Sequence, residues 1–320
     1  MMIRLIPIAL AMVLSMNGFT QTKEDAVNAY NKAVSLASTD LPGAVNAMME
    51  SAEIADKVGP EADTIGQMAE QQIAALQYNY ATSLYKEKKI DEAIENFMIS
   101  RDYAVKYKDE GTKKKAEDLL PKLYLSKGVN EYKNNQFDAA IASYSKAIEY
   151  DTTMARAYLN MGYAYKKLNK DAEMRLAMDN AIAKGTATND EKTVEAAKKA
   201  MGDDLLVSAN AAFKKNDFSS TVSLLDQALK YNENNPEIYY LHAVALNKIS
   251  KFDLAQASAE KGLSIETDSA EKKARFYFEI GNALAGKGDT ANACANYKKA
   301  AVGPFAESAN YQIKTVLKCN

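Results

Sequence analysis

Between Gly128 and Ile148 the chain reads GVNEYKNNQFDAAIASYSKAI: a small residue, aromatics, a polar turn, then alanines. From Gly162, 34 residues later, it reads GYAYKKLNKDAEMRLAMDNAI. Few letters are identical, yet small and apolar residues return at the same offsets. What repeats is side-chain size, which is a matter of packing.

Taking the small residue as an anchor, the pattern recurs at Ala81, Gly128, Gly162, Ala209, Ala243 and Gly281, and once more from Ala33 with a turn one residue shorter. Successive anchors are 48, 47, 34, 47, 34 and 38 residues apart. Each copy reads as two amphipathic helices meeting back to back around small residues. Ala93, Ala140 and Ala255 are expected to face Ala81, Gly128 and Ala243, because bulkier side chains would push the helix axes apart. Phe97, Tyr144 and Leu225 then fill the next layer, while Met174 and Thr221 stand where a small residue is usual. Polar turns separate the helices, the chain has only 6 Pro, and no stretch alternates in the manner of a strand. An all-α chain is predicted.

This pattern resembles the tetratricopeptide repeat (TPR) family, whose 34-residue helix-turn-helix units stack into a right-handed superhelix. The resemblance covers roughly residues 24 to 318 and is most specific over the two units that begin at Gly128 and Gly162. It implies a right-handed α-solenoid of about seven hairpins anchored near 33, 81, 128, 162, 209, 243 and 281, in a single domain spanning 21–320. A terminal helix over 304–318 is expected to cap it. The 47-residue spacings carry 13 residues beyond the standard unit, read as lengthened helices that jut from one edge. Turns are expected at Glu110–Thr112 and near Gly185–Asn189, and Pro121 is expected to kink or restart its helix.

The N-terminal stretch MMIRLIPIALAMVLSMNGFTQTKED has Arg4, then an apolar run from Leu5 to Leu14, then small and polar residues. That is the layout of a secretory signal peptide over residues 1–20, with Gln21 as the new N-terminus. The run is about half of the roughly 20 residues a spanning helix needs, and it contains Pro7. No cysteine is near it, so a lipid anchor is not expected. A periplasmic or secreted protein without stable membrane insertion is predicted. The formal net charge of −2, from 40 basic and 42 acidic residues, implies no general attraction to nucleic acid.

Little points to catalysis. With one histidine, His242, and two cysteines, Cys294 and Cys319, neither a His/Cys zinc site nor a Ser-His-Asp triad has material to draw on. His242 reads as a packing residue. Acids in DEAIE (Asp91–Glu95) begin a helix and favour its dipole. GKGDT at Gly286–Thr290 lacks phosphate-loop spacing. No cofactor and no metal are expected. Cys294, on the second helix of the last unit, and Cys319, at the end of the cap, form a possible disulfide in an oxidising compartment, provided the tail folds back.

In the TPR family the first helices line the concave side. Residues just beyond their packing stripe are Tyr78, Tyr85, Tyr132, Leu159, Tyr163, Phe213, Tyr240 and Phe278, a row of mostly aromatic groups suited to a protein or peptide. Lys86, Lys133, Lys167, Lys214 and Lys248 follow them, either as a basic border or as partners of helix C-termini. The family's carboxylate clamp is not expected, since Leu125 and Val129 occupy its Lys and Asn positions. The reading is a non-catalytic exported scaffold or adaptor in the cell envelope. A holdase for unfolded chains and a carboxylate-dependent enzyme are its rivals.

Overall fold

The computed structural model describes residues 21–319, so the expected signal peptide lies outside the described residues. Among the described residues all regular structure is helical. The helices are α1 (Lys23–Leu36), α2 (Leu41–Val58), α3 (Asp63–Lys86), α4 (Ile90–Lys106), α5 (Glu110–Lys133), α6 (Phe137–Tyr150), α7 (Ala155–Lys167), α8 (Asp171–Ala187), α9 (Glu191–Lys214), α10 (Phe218–Tyr231), α11 (Pro236–Lys248), α12 (Phe252–Ile265), α13 (Ala270–Gly286), α14 (Thr290–Ala300) and α15 (Ala306–Tyr311). Consecutive pairs from α1/α2 to α13/α14 are the seven expected hairpins, giving an all-α, solenoid-type build of TPR-like units. The chain groups into two compact units, one up to Lys127 and one from Gly128, with the division falling inside α5.

The anchors explain the helix contacts. In each hairpin from Ala81 onward, the residue 16 positions after the anchor is buried: Phe97, Tyr144, Met178, Leu225, Ala259 and Tyr297. A Cβ on Gly128 would meet the Tyr144 ring at 2.5 Å, one on Gly162 the Met178 methyl at 2.8 Å, and one on Gly281 the Tyr297 ring at 2.8 Å. These glycines therefore let a large side chain lie directly on the facing backbone. The small position 12 residues after the anchor is also buried throughout, and its two departures are accommodated. Met174 joins the core of Met178, Ala181 and Met201. Thr221 donates its hydroxyl to the Asp217 carbonyl at 2.7 Å, so a buried polar atom is satisfied within its own helix.

Seven positions after each anchor from Ala81 onward the turn takes a left-handed residue. Lys88, Asn135, Asn169, Asn216, Ser250 and Gly288 fill this position with φ between 56° and 83°. Asparagine suits that conformation, and Gly288 has no Cβ penalty. At three hairpins an aspartate near the turn then caps the following helix through a side-chain oxygen: Asp40, Asp217 and Asp289.

The long spacings lengthen two helices on either side of a turn. First helices α3, α5 and α9 have 24 residues, against 13 in α7 and α11. The first turn lies before its expected place and the second at the far end of its expected range. Helix α5 already begins at Glu110, because Asp109 accepts the Thr112 N–H at 3.0 Å and Lys108 takes the left-handed conformation. Gly185 lies within α8, where a Cβ would meet Val194 at 2.7 Å, and the turn falls at 188–190 instead, capped by Asp190. Helix α5 also runs on through Pro121 without restarting, giving up one backbone hydrogen bond.

The expected cap over 304–318 forms as one uninterrupted helical run from 303 to 316 whose winding changes along it: a 3₁₀ turn at Gly303–Phe305, α15, and a π turn at Gln312–Val316. The Cys319 N–H then donates to the Ile313 carbonyl at 2.8 Å. This folded-back tail brings Cys319 to Cys294, and the two are joined by a disulfide with Cα atoms 5.8 Å apart. A straight helix would have carried Cys319 past its partner.

His242 is buried between α10, α11 and α12. Its Nδ1 is 3.0 Å from the Ser258 Oγ, which itself donates to the Tyr239 carbonyl. Its Nε2 is 3.3 Å from Asp226 Oδ1, outside hydrogen-bond geometry. Ser258 is itself buried, so the arrangement presents no exposed hydroxyl for nucleophilic work.

Two outcomes test this packing. Gly128→Ala is expected to cost about 1–3 kcal/mol by displacing the Tyr144 ring. Gly111→Ala, on an exposed stretch of the same helix, is expected to be neutral or slightly stabilising in the same chemical-denaturation series. Burial holds the His242 imidazole below its ordinary value of 6.5, with Asp226 opposing the shift. The unfolded chain therefore takes up this proton first, and stability falls as pH drops below about 6.5 toward the folded value. The capping carboxylates Asp25, Asp109, Asp190, Asp217 and Asp289 are held below 3.8, so their contributions are lost only at lower pH. Thermal midpoints between about pH 7.5 and 5 should thus fall more steeply for the wild type than for His242→Gln.

Candidate functional site

In the second unit the first helices of successive hairpins touch directly: α7 with α9, α9 with α11 and α11 with α13. Each therefore presents its remaining side chains along one side of the stack. At the start of this side a pocket of 210 Å³ opens between α5, α6 and α7, lined by Val129, Tyr132, Lys133, Tyr144, Asn160 and Tyr163. Its walls are largely apolar.

The pocket follows from the anchor geometry. Tyr144 lies against Gly128, which leaves its ring edge at the pocket floor. Tyr132 is held by an edge-to-face contact with Phe137, ring centroids 5.3 Å apart. Tyr163 packs partly on the core around Leu159 and Met178. Burial pushes the phenols of Tyr132, Tyr144 and Tyr163 above their ordinary value, so all three remain protonated donors. Among the described residues none of these three hydroxyls, nor the Asn160 amide, makes a hydrogen bond within the protein. Lys199 and Asp203 of α9, paired at 2.6 Å, add weaker effects on Tyr163. The pocket is thus an apolar recess, suited to the apolar side chain of a ligand or partner.

The predicted row is only partly assembled. Tyr132, Lys133 and Tyr163 meet in this pocket. Leu159 does not line it; it is a core residue with 7% exposure. Tyr78 belongs to the first unit, where it packs edge-on against Phe97 at 5.1 Å. Tyr85, in the same unit, is open to solvent. Phe213 repeats the Tyr132 arrangement by packing on Phe218 at 5.3 Å. Tyr240 is covered by the Arg275 guanidinium, 4.9 Å from its ring centre, and burial pushes its phenol up to about 12. Arg275 is in turn held by Glu237 and by Glu266. Phe278 is enclosed by Tyr297 and Phe305, with centroids 5.4 and 5.5 Å away.

The row breaks up because its members lie at three levels. Tyr85, Tyr132 and Phe213 are four residues after their anchors, Tyr163 is one after, and Tyr78, Leu159, Tyr240 and Phe278 are three before. All point within about a 60° sector, yet the outermost levels are about 10 Å apart along the helix axis. Val129, Tyr144 and Asn160 complete the pocket and were not singled out as site residues. Val129 shares the one-after-anchor level with Tyr163, which was the available signal.

Each lysine of the row is the last residue of a first helix: Lys86, Lys133, Lys167, Lys214 and Lys248 end α3, α5, α7, α9 and α11. That position favours a cation beside the helix C-terminus. Among the described residues Lys133, Lys167, Lys214 and Lys248 form no ion pair, and Lys133 alone of these lines the pocket. Near Lys248, Glu279 is buried and accepts from Asn247 at 2.8 Å and Asn282 at 3.1 Å. Burial pushes its carboxyl up. Asn282 also accepts from the Tyr297 hydroxyl, so this network ties α11, α13 and α14 together.

Two segments match family models: residues 128–169 a model described as TPR repeat, and residues 274–301 one described as tetratricopeptide repeat. These segments are tetratricopeptide repeats. The first contains Val129, Tyr132, Lys133, Tyr144, Asn160 and Tyr163, so the pocket is built wholly from matched repeat sequence. Solved structures with similarity include that of MamA protein, at 21% identity over 62% of this chain and 96% of that one, with a TM-score of 0.33. Another is YrrB, described as a TPR protein with an unusual peptide-binding site, at 19% identity over 65% and 94%, TM-score 0.34. A third is a tetratricopeptide repeat protein from Parabacteroides merdae, at 15% identity over 93% and 100%, TM-score 0.31. No curated protein matches the chain. Among the described residues no helix is long and apolar enough to cross a membrane.

Proposed function

We propose that this protein is an exported, non-catalytic scaffold whose repeats hold a protein or peptide partner along the first-helix side of the second unit. The observation that carries the reading is the pocket of Tyr132, Tyr144 and Tyr163, an apolar recess inside a TPR segment. An extended chain can place an apolar side chain there. Lys133 at the rim adds a cation that favours acidic partners.

Export is supported by the sequence of residues 1–20 and by the Cys294–Cys319 disulfide, a bond that persists in oxidising compartments. N-terminal sequencing of protein from the soluble envelope or secreted fraction is expected to start near Gln21. Membrane-bound protein retaining Met1 would overturn this part of the reading.

The binding test uses the partner that co-purifies with the full chain. Tyr132→Ala with Tyr163→Ala is expected to weaken the complex at least about tenfold, as loss of central aromatic contacts does. Lys133→Ala with Lys167→Ala should weaken it less and flatten its salt dependence. If both pairs bind as the wild type does while Lys113→Ala with Lys114→Ala abolishes binding, the partner surface is on the lengthened helices. Recovery of many unfolded clients in place of one stoichiometric partner would favour a holdase.

A further inference from the structure

The tail of the chain is thinly packed for a segment that closes a helical stack. Between Gly303 and Cys319 only Ala309 is fully buried, while Tyr311 and Val316 are 58% and 51% exposed. Ile313 and Leu317 rest partly on the core around Phe276, Ile280 and Tyr297, and Phe305 covers Phe278. The backbone bonds of Leu317 and Cys319 go to Gln312 and Ile313, within the tail itself. What ties its far end to the last hairpin is the covalent bond from Cys319 to Cys294 on α14.

A cavity of 510 Å³ is lined by both cysteines together with Leu317, Lys298 and Lys318. Cys294 is 9% exposed, whereas Cys319 is only half-buried, so Cys319 is the more open of the two residues. Lys318 adds a positive charge to the lining, which favours an approaching thiolate and a departing one.

We propose that this cavity is a thiol–disulfide exchange site, and that the Cys294–Cys319 bond is a clasp opened by a dithiol reductant. One thiolate of the reductant attacks Cys319 Sγ; a new S–S bond forms, the Cys294–Cys319 bond breaks, and Cys294 leaves as a thiolate that takes up a proton. The second thiol of the reductant, as thiolate, displaces Cys319 from the mixed disulfide, and Cys319 is protonated in turn. Two electrons and two protons pass to the chain, and the reductant ends as a disulfide. The tail, then held only by its thin packing, detaches from α13 and α14 and uncovers Phe278. This residue stands at the same level of its helix as Tyr240, three before the anchor, so the clasp controls access to the last first helix. The inference does not depend on the Tyr132 pocket.

The test uses the full chain purified without reductant and treated with dithiothreitol under native conditions. Thiols are counted by alkylation, and hydrogen exchange is followed by mass spectrometry. The expected result is two alkylated cysteines and exchange over 303–319 faster by about tenfold or more, with α9 to α12 unchanged. Cys319→Ser should reproduce the fast tail without reductant. Alkylation that requires denaturant would show that the cavity does not admit a thiol. A reduced tail exchanging as slowly as the oxidised one would show that packing alone holds it. Loosening spread through α13 and α14 would make the bond a support of the whole hairpin. Each of these three results overturns the clasp.

Discussion

The structure depends on how closely two helices can approach at a single small residue. Where Gly128 meets Tyr144, Gly162 meets Met178 and Gly281 meets Tyr297, the large side chain occupies the volume a Cβ would need. The same exchange recurs with variation. In the hairpin anchored at Ala243 the position opposite is the small Ala259, and Phe276 from the next first helix fills the space, lying where Gly262 has no side chain. Packing is thus conserved as volume, although its residues come from different helices. A repeat that buries its apolar face only against neighbours has stability close to a sum of hairpin and interface terms.

From this constraint the candidate site follows almost without further design. An aromatic pressed against a glycine anchor is immobile, and its edge forms a fixed floor. Tyr132 and Tyr163, from two successive first helices, form the walls, with Tyr132 held by Phe137 and Tyr163 by the core beneath it. A rigid pocket of this kind loses little entropy on binding, which is the condition for a small site to contribute usefully. Further along, Tyr240 is covered by Arg275 and Phe278 by Phe305, whereas Phe213 packs on Phe218 as Tyr132 does on Phe137.

The two lengthened joints show the same economy applied to turns. Gly185 resembles a turn residue in sequence, yet it serves as a contact for Val194 inside α8, and the chain reverses at Asn189 and Asp190. A glycine can be required by a turn or by a neighbour, and one-dimensional sequence does not distinguish the two. Pro121 makes the complementary point. Losing one N–H donor is tolerable within a 24-residue helix whose surrounding residues Leu120 and Leu123 are buried.

By itself the sequence determined the hairpins, their number and the layers around the anchors, because small and large residues at fixed offsets encode helix separation directly. It also marked Tyr132, Lys133 and Tyr163, since residues beside a packing stripe must face away from the partner helix. Only the tertiary structure decided which of the aromatics remain open. That choice rests on contacts with residues distant along the chain, such as Arg275 over Tyr240 and Phe305 over Phe278. It rests also on axial level, which a shared angular sector conceals. The cap was undecided for the same reason: α-helical spacing carries Cys319 past Cys294, and only the folded tail, with its π turn, brings the two sulfurs together.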